Sequence, residues 1–164
     1  MDNTIQGQGY FYQLGSFQNQ GTVDANVSGG TLSIYPVPTT NTGTLEATGG
    51  GTLQIYASTV TNTGHTISAD STSSIILNDA TITGGNLTAA SGAVIHGINN
   101  TTLYGVTITS GTTYFLNNNN TYLTGDLINQ GTVKVGNSSA DSGLLVQGTV
   151  ANNCLLYTSD AADE

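Results

Sequence analysis

The sequence predicts an all-β protein built as a parallel β-helix (β-solenoid), with three short strands per coil and about 20–22 residues per coil. Three observations predict this fold class: a sequence repeat of that length, strand-like alternation within each repeat, and glycine-rich breaks between the strands. The composition agrees with them, because 22 of the 164 residues are Gly and only 7% are charged. Abundant Thr, Val and Ile favour strands over disorder.

The repeat is visible in an Asn-x-Gly-Thr motif that recurs along the chain. Residues 19–25 read NQGTVDA and residues 41–47 read NTGTLEA, an offset of 22, and residues 62–69 give a looser copy. Residues 129–133 restore the motif at an offset of 110 from its first appearance, which predicts five units of 22. In the third block of each unit, the apolar residues Val60, Ile82, Leu103 and Leu123 recur at offsets of 22, 21 and 20.

Each unit contains three runs in which apolar and polar residues alternate, and this pattern is typical of strands with one buried face. Glycine clusters separate the runs and supply the positive φ angles of tight corners. One unit buries little surface alone, so we expect about seven units to stack at ~4.8 Å into a rod roughly 34 Å long. At one corner, stacking aligns the side chains of Asn19, Asn41 and Asn62 into a ladder.

The domain organisation predicted from the sequence is a solenoid segment over residues 1–153, followed by an unrelated tail over residues 154–164. We expect the solenoid to be truncated at both ends, because neither end carries the polar cap that a terminal coil needs. The tail holds the only Cys and three of the ten acidic residues. Its eleven residues resemble a translated transposase sequencing adapter, which predicts read-through from a fragmentary, metagenomic reading frame.

The charge balance excludes several functions. The chain has one basic residue, Lys134, and a formal net charge of -9. A protein that binds nucleic acid by neutralising phosphate needs many more cations, and so does one that binds an anionic membrane surface. No stretch approaches the roughly 20 apolar residues of a membrane-spanning helix, so no membrane span is predicted.

Asp24 and Glu46 occupy the same position in successive units, so we expect their side chains to point outward about 5 Å apart. Paired carboxyl groups at this distance are what a retaining glycosidase uses. The next unit has Ser68 at this position, and the unit that begins at Asn129 is expected to have Lys134 there. This variety of residues favours a solvent-exposed column that accepts different side chains over a catalytic pair.

Tyr35 and Tyr56 also match in register, which predicts an aromatic pair on neighbouring strands. Such a pair can serve as a platform for a sugar, although cross-strand aromatic pairs also stabilise sheets without any ligand. Together with Asp24 and Glu46, these tyrosines are the candidate carbohydrate contacts of the sequence.

No metal site or cofactor is predicted. His65 and His96 are separated by an offset that is not a whole number of repeat units, so they need not share a face. Neither has the clustered acids or thiols that a metal site requires, and the Gly-Gly-x-Gly-x-Asp calcium repeat is absent from the sequence.

The repeats resemble those of secreted bacterial β-solenoid proteins, in particular filamentous-haemagglutinin and autotransporter-passenger regions of surface proteins. The residues that carry the likeness are 19–23, 41–45, 80–85 and 103–108, and it extends over roughly residues 4–150. The resemblance implies export to the cell surface or medium, a structural or adhesive role, and no cofactor. The implied partners are carbohydrate or host-cell surface ligands and further repeats of the same chain.

The sequence therefore predicts a non-enzymatic structural or adhesive segment of a secreted or surface β-solenoid, and two alternatives stay open. Carbohydrate enzymes also use this architecture, so one alternative is a polysaccharide-binding or polysaccharide-degrading β-helix of the lyase or tailspike kind. The other is an ice-binding solenoid, suggested by the Thr-x-Thr pairs at residues 59–61, 81–83 and 107–109.

Overall fold

The computed structural model describes residues 3–12, 15–35, 38–136, 142–154 and 156–158. Within these ranges, 23 short strands wind into a parallel β-solenoid of about 7 turns, with three strands per coil and about 21 residues from coil to coil. The predicted fold class and coil length are confirmed. None of the described segments forms a helix long and apolar enough to cross a membrane.

The strands form three parallel sheets, A, B and C, and successive strands of each sheet come from successive coils. Sheet A contains β1 (Thr4–Gln6), β4 (Thr22–Ala25), β7 (Thr44–Ala47), β10 (Thr66–Ala69), β13 (Asn86–Ala89), β16 (Thr107–Ile108), β19 (Leu127–Asn129) and β22 (Val150–Asn152). Sheet B contains β2 (Gly9–Phe11), β5 (Thr31–Ile34), β8 (Thr52–Tyr56), β11 (Ser74–Asn78), β14 (Val94–Ile98), β17 (Thr113–Leu116), β20 (Thr132–Val135) and β23 (Leu156–Thr158). Sheet C contains β3 (Phe17–Asn19), β6 (Thr39–Asn41), β9 (Thr59–Thr61), β12 (Thr81–Thr83), β15 (Thr101–Tyr104), β18 (Asn119–Thr124) and β21 (Ser142–Gln147).

The core is a narrow column of inward side chains enclosed by the three sheets. Alternation along each strand sends every second residue inward, so Leu45 and Ala47 of β7 are fully buried while Thr44 and Glu46 face outward. Parallel pairing in register then places side chains of similar type above one another in successive coils. Burial of one such aliphatic side chain contributes roughly 1.5–3 kcal/mol. The first inward column of sheet A is fully buried from β4 to β16, and it consists of Val23, Leu45, Ile67, Leu87 and Ile108.

The prediction of five equal repeat units is wrong. The column that begins at Thr22 reaches Ile128 after five steps, because the coils become shorter by one or two residues after β10. Thr132, which five equal units would place in the column of Thr22, has therefore passed the next corner and begins a strand of sheet B. As a result, Lys134 pairs with Phe115 in sheet B and does not share a column with Asp24.

The motif recurs at a different corner because its geometry is local. The Asn side chain accepts a hydrogen bond from the backbone N–H two residues later, which closes a tight turn. Gly43 donates in this way to Oδ1 of Asn41 at 3.3 Å, and Gly131 donates to Oδ1 of Asn129 at 3.2 Å. Asn41 ends a strand of sheet C, whereas Asn129 ends a strand of sheet A. The motif thus specifies a turn and not a particular corner of the coil.

The predicted boundary between residues 153 and 154 falls near the end of the described chain. Cys154 is exposed, and the backbone of β23 continues sheet B by pairing with β20. Residue 155 and residues 159–164 lie outside the described residues. The assignment of residues 1–153 to a truncated solenoid and of residues 154–164 to a non-native tail stays a prediction.

Candidate functional site

Asn19, Asn41 and Asn62 lie above one another at the corner between sheets C and A. Nδ2 of Asn19 donates to Oδ1 of Asn41 at 2.7 Å, and Nδ2 of Asn41 donates to Oδ1 of Asn62, also at 2.7 Å. All three side chains are buried. At the upper end, Nδ2 of Asn62 donates to the carbonyl oxygen of His65 at 3.0 Å, so the ladder closes on backbone. Gly85 of the next coil leaves room for the Asn62 amide, which the Cβ of any other residue would contact.

The sequence reasoning missed further asparagine contacts between coils. At the corner after sheet B, Nδ2 of Asn99 donates to Oδ1 of Asn78 at 2.6 Å, and Nδ2 of Asn119 donates to Oδ1 of Asn99 at 3.3 Å. Asn99 and Asn119 have φ angles of 56° and 62°, a left-handed conformation that Asn tolerates better than most residues. In sheet A, Asn129 donates to Asn152 at 2.8 Å. The signal in the sequence was the recurrence of Asn at offsets close to one repeat unit.

Asp24 and Glu46 face outward from directly paired positions of β4 and β7. Oγ1 of Thr48 donates to the Asp24 carboxylate at 2.9 Å from each oxygen. Partial burial raises the pKa of Glu46 above its ordinary value, and the neighbouring charge of Asp24 raises it further. Ser68 of β10 pairs with Glu46, so the two acids belong to a polar column on the outer face of sheet A.

Replacing Glu46 with Gln is expected to raise the melting temperature at pH 7 by about 1–2 °C. Because the folded-state pKa of Glu46 is raised, folding favours the protonated form. The carboxyl group is therefore tolerated best below its unfolded pKa of about 4.3, and stability falls as the pH rises through the folded pKa. Thermal unfolding at pH 7 and pH 3 tests this, with Asp126→Asn at an exposed corner as the charge-matched control. An equal gain for Glu46→Gln at both pH values would contradict the explanation.

Asp70 organises the corner after β10 without belonging to a ligand site. Its carboxylate accepts hydrogen bonds from the backbone N–H of Gly49 at 2.8 Å and from the backbone N–H and hydroxyl of Thr72 at 2.9 and 2.8 Å. A hydrogen bond from the Ser73 side chain, followed by the bonds from Gly49 and Thr72, holds the pKa of Asp70 well below its usual range. The carboxylate thus ties its own turn to the corner of the preceding coil.

Asp70→Asn is expected to lower the melting temperature at pH 7 by about 2–4 °C, because an amide offers one acceptor oxygen where the carboxylate offers two. A lowered folded-state pKa means that the ionised form stabilises the fold above the unfolded pKa of about 3.9, and this contribution is lost as the pH falls through the folded pKa. Melting curves at pH 7, 4 and 2 should show the two proteins converging only toward the lowest pH. A constant difference across the three pH values would rule the mechanism out.

Tyr35 and Tyr56 do lie on neighbouring coils, and the structure adds Tyr12 below them. The ring centroids of Tyr35 and Tyr56 are 4.6 Å apart, and those of Tyr12 and Tyr35 are 5.7 Å apart, with planes inclined by 30° and 16°. Rings this close and this nearly parallel overlap face to face with an offset. Tyr35 therefore lies in the middle of a stack of three rings, and 36% of the residue stays exposed.

These stacked rings form one side of a groove on the outer face of sheet B, with a volume of about 450 Å³. Ser33 and Gln54 lie at adjacent paired positions within it, and Oγ of Ser33 donates to Oε1 of Gln54 at 3.0 Å. The described residues that line this tyrosine groove are Tyr10, Tyr12, Ser33, Tyr35, Gln54, Tyr56 and Asn78.

The four candidate carbohydrate contacts therefore form two surfaces and not one. Asp24 and Glu46 belong to sheet A, whereas Tyr35 and Tyr56 line the groove on sheet B. The corner that joins β4 to β5 in one coil, and β7 to β8 in the next, separates them. Neither acid is among the described residues that line the tyrosine groove.

The two histidines lie on different parts of the coil. His65 precedes β10 of sheet A, while His96 faces outward from β14 of sheet B and contacts Phe115 edge-on, with ring centroids 5.9 Å apart. Burial lowers the pKa of His96. Across residues 3–12, 15–35, 38–136 and 142–154, no group of three His, Cys, Asp or Glu side chains is placed to hold a metal ion.

The three Thr-x-Thr pairs do not form one array. Thr59–Thr61 and Thr81–Thr83 are neighbouring strands of sheet C, in register. Thr107, by contrast, pairs with Asn86 in sheet A. The residue one coil after Thr81 in sheet C is Thr102, and Thr107 lies five residues further along the chain, past the corner that leads into sheet A.

Comparison with protein-family models, with curated proteins and with solved structures finds no match to this chain. The β-solenoid of stacked coils is therefore established by the structure itself.

Proposed function

We propose that this chain is a non-enzymatic structural and adhesive segment of a secreted or cell-surface bacterial β-solenoid protein. The observation that supports this most strongly is the unbroken stacking of about 7 coils in register. Each coil is hydrogen-bonded to the next along all three sheets, and one cluster of buried hydrophobic residues extends from Val23 to Val133. Such a rod is stiff along its axis, which suits a spacer or stalk.

The outer faces support the adhesive part of the proposal. Register pairing places outward side chains in columns along the rod. Successive side chains of one column are about 4.8 Å apart, so one weak contact is repeated on coil after coil. Repetition of weak contacts on one rigid body gives avidity that a single contact lacks. The columns consist mainly of Thr, Ser, Asn and Tyr, whose hydrogen bonds, unlike ion pairs between exposed charges, are not screened by salt.

Adhesion is tested with beads that carry the full chain, applied to bacterial and animal cells and to immobilised glycans. We expect retention of the beads, and we expect it to persist in about 1 M NaCl because the contacts are uncharged. Beads that carry the heat-unfolded chain are the control. Failure of the folded chain to be retained on any surface, or retention equal to that of the unfolded chain, would overturn the adhesive role.

Export is tested by fractionating the source cells and detecting the chain with an antibody. The proposal expects the signal in the medium or on intact cells, where external protease removes it. A signal confined to the cell interior and protected from protease contradicts the proposed location.

A polysaccharide-degrading β-helix is the second candidate, because Asp24 and Glu46 are paired acids on neighbouring strands. Incubation of the chain with acidic and neutral polysaccharides distinguishes the two functions by the appearance of new reducing or unsaturated ends. The non-enzymatic proposal expects none above the level without protein. New ends that disappear in Asp24→Asn and Glu46→Gln would instead establish the enzyme.

A further inference from the structure

We propose that the tyrosine groove on sheet B binds a neutral oligosaccharide that lies along the solenoid axis. This inference rests on the adhesive function proposed above and names a ligand class for it. It concerns sheet B alone, so it does not involve Asp24 or Glu46.

The chemistry of the lining selects the ligand class. The groove offers four phenol rings, one aliphatic hydroxyl and two carboxamides, and none of the seven described lining residues is charged. A sugar ring has apolar C–H faces that pack on aromatic rings, and its rim of hydroxyl groups exchanges hydrogen bonds with amides and phenols. A phosphate or carboxylate ligand would find no cation among these residues. The lining therefore matches a neutral sugar better than an anionic one.

The shape of the groove indicates an elongated ligand. Tyr12, Tyr35, Tyr56 and Asn78 follow one another on four successive coils, a span of roughly 14 Å at the ordinary strand spacing. The volume of about 450 Å³ lies within the range of roughly 300–1,000 Å³ that is typical of small-ligand sites. A chain of a few sugar rings parallel to the axis fits this length and volume.

The lining side chains offer a sugar different kinds of contact. Tyr10 is 79% exposed, so its aromatic ring is accessible to a sugar. Tyr35 lies between Tyr12 and Tyr56 in the stack, so the contacts it can offer a sugar are those of its hydroxyl group and ring edge. Oε1 of Gln54 accepts a hydrogen bond from Ser33, which directs the ligand to the NH₂ end of that amide. Because stacking orders the rings of Tyr12, Tyr35 and Tyr56 before a ligand arrives, these three side chains lose little entropy on binding.

The test is titration of the full chain with neutral gluco-, manno- and xylo-oligosaccharides, followed by NMR chemical shifts, with oligogalacturonate as the acidic comparison. We expect at least one neutral series to bind and oligogalacturonate to bind at least tenfold more weakly. Tyr10→Ala should weaken the neutral ligand at least tenfold. Tyr35→Phe keeps the ring stack and removes one hydroxyl group, and it should weaken binding about threefold.

Tyr104→Ala is the matched control, because Tyr104 is an exposed tyrosine on sheet C, 53% accessible and outside the groove. It should leave the affinity within twofold of the parent chain. Equal losses in Tyr10→Ala and Tyr104→Ala, or no binding of any neutral series, would overturn the groove proposal. Retention of beads on cells in the absence of sugar binding would leave the adhesive function standing while removing the groove as its site.

Discussion

Replacing Gly97 with Ala is expected to destabilise the solenoid by about 3 kcal/mol, a large loss for a single methyl group. Gly97 points inward from β14, between Leu77 and Leu116 of the adjacent strands. A Cβ at this position would overlap the hydroxyl oxygen of Tyr114 and lie 2.6 Å from its Cζ and 3.0 Å from Oγ1 of Thr121. The added methyl group therefore has no space unless the tyrosine moves.

Displacing the Tyr114 side chain costs free energy. Its side chain is completely buried, and its hydroxyl group forms a hydrogen bond of 3.0 Å with Thr121. Burial raises the pKa of Tyr114 above its usual range, so the phenol stays neutral. The absence of a side chain at Gly97 thus accommodates the one large ring among the fully buried side chains of the described core.

Urea denaturation of the parent chain, Gly97→Ala, Tyr114→Phe and the double variant measures this coupling. Tyr114→Phe alone should cost about 1 kcal/mol, the value of one hydrogen bond. In the double variant the loss should be clearly smaller than the sum of the single losses, because the overlapping hydroxyl group is gone. Gly15→Ala is the control, since a Cβ there meets no atom of the described residues within 4 Å. Additive losses, or an equal loss for Gly15→Ala, would contradict the packing argument.

Replacing Asn41 with Ala is expected to cost about 2–4 kcal/mol. The Asn41 amide is 2% exposed, accepts a hydrogen bond from Asn19 and donates one to Asn62. Truncation removes these two bonds and the bond from the backbone N–H of Gly43. It leaves the buried acceptor of Asn62 without this partner, while Nδ2 of Asn19 keeps only the carbonyl oxygen of Thr44. Because buried unpaired polar groups are costly, we expect the loss to exceed that of a simple contact.

The control for Asn41→Ala is Thr40→Ala, one residue earlier in the same strand and exposed on the outer face. Its effect should stay within about 0.5 kcal/mol. Denaturant midpoints at unchanged slope give both values. Similar losses of unfolding free energy in the two variants would mean that the asparagine ladder stabilises the fold no more than ordinary strand propensity does.

Much of this fold could be predicted from the sequence because its order is local and repeated. Alternation in residues such as those of β7 fixes which side chains face inward, and a coil spacing of about 21 residues aligns neighbouring coils. The alignment of Asn19 with Asn41 followed from the same repeat. These features require knowledge only of adjacent coils.

Features that depend on accumulated coil length were not predictable in the same way. Each shortening by one or two residues is small, yet after five coils it moves Thr132 from the expected sheet A to sheet B. The Asn-x-Gly-Thr motif does not reveal this change of sheet, because its hydrogen bond closes a turn at any corner. The column predicted for Lys134 was therefore wrong, although the strand that contains it was recognisable in the sequence.

The groove was missed in part for a related reason. Tyr12 lies further along the sequence from Tyr35 than one regular repeat unit, and Tyr10 occupies a different column from either. Similarly, the fit of Tyr114 beside Gly97 depends on how far a tyrosine reaches across the core. Side-chain reach between columns has no periodic signature in the sequence.

Spin-label distances along one face test most directly the claim that these coils stack in register. Labels are placed at Thr22→Cys paired with Thr107→Cys, and at Thr22→Cys paired with Ile128→Cys, after replacement of the exposed Cys154 by Ser. The stacked coils predict backbone separations of about 19 Å for four steps and about 24 Å for five. Double electron–electron resonance should therefore give two narrow distributions that differ by about 5 Å. Broad distributions, or no increase from the first pair to the second, would contradict the solenoid.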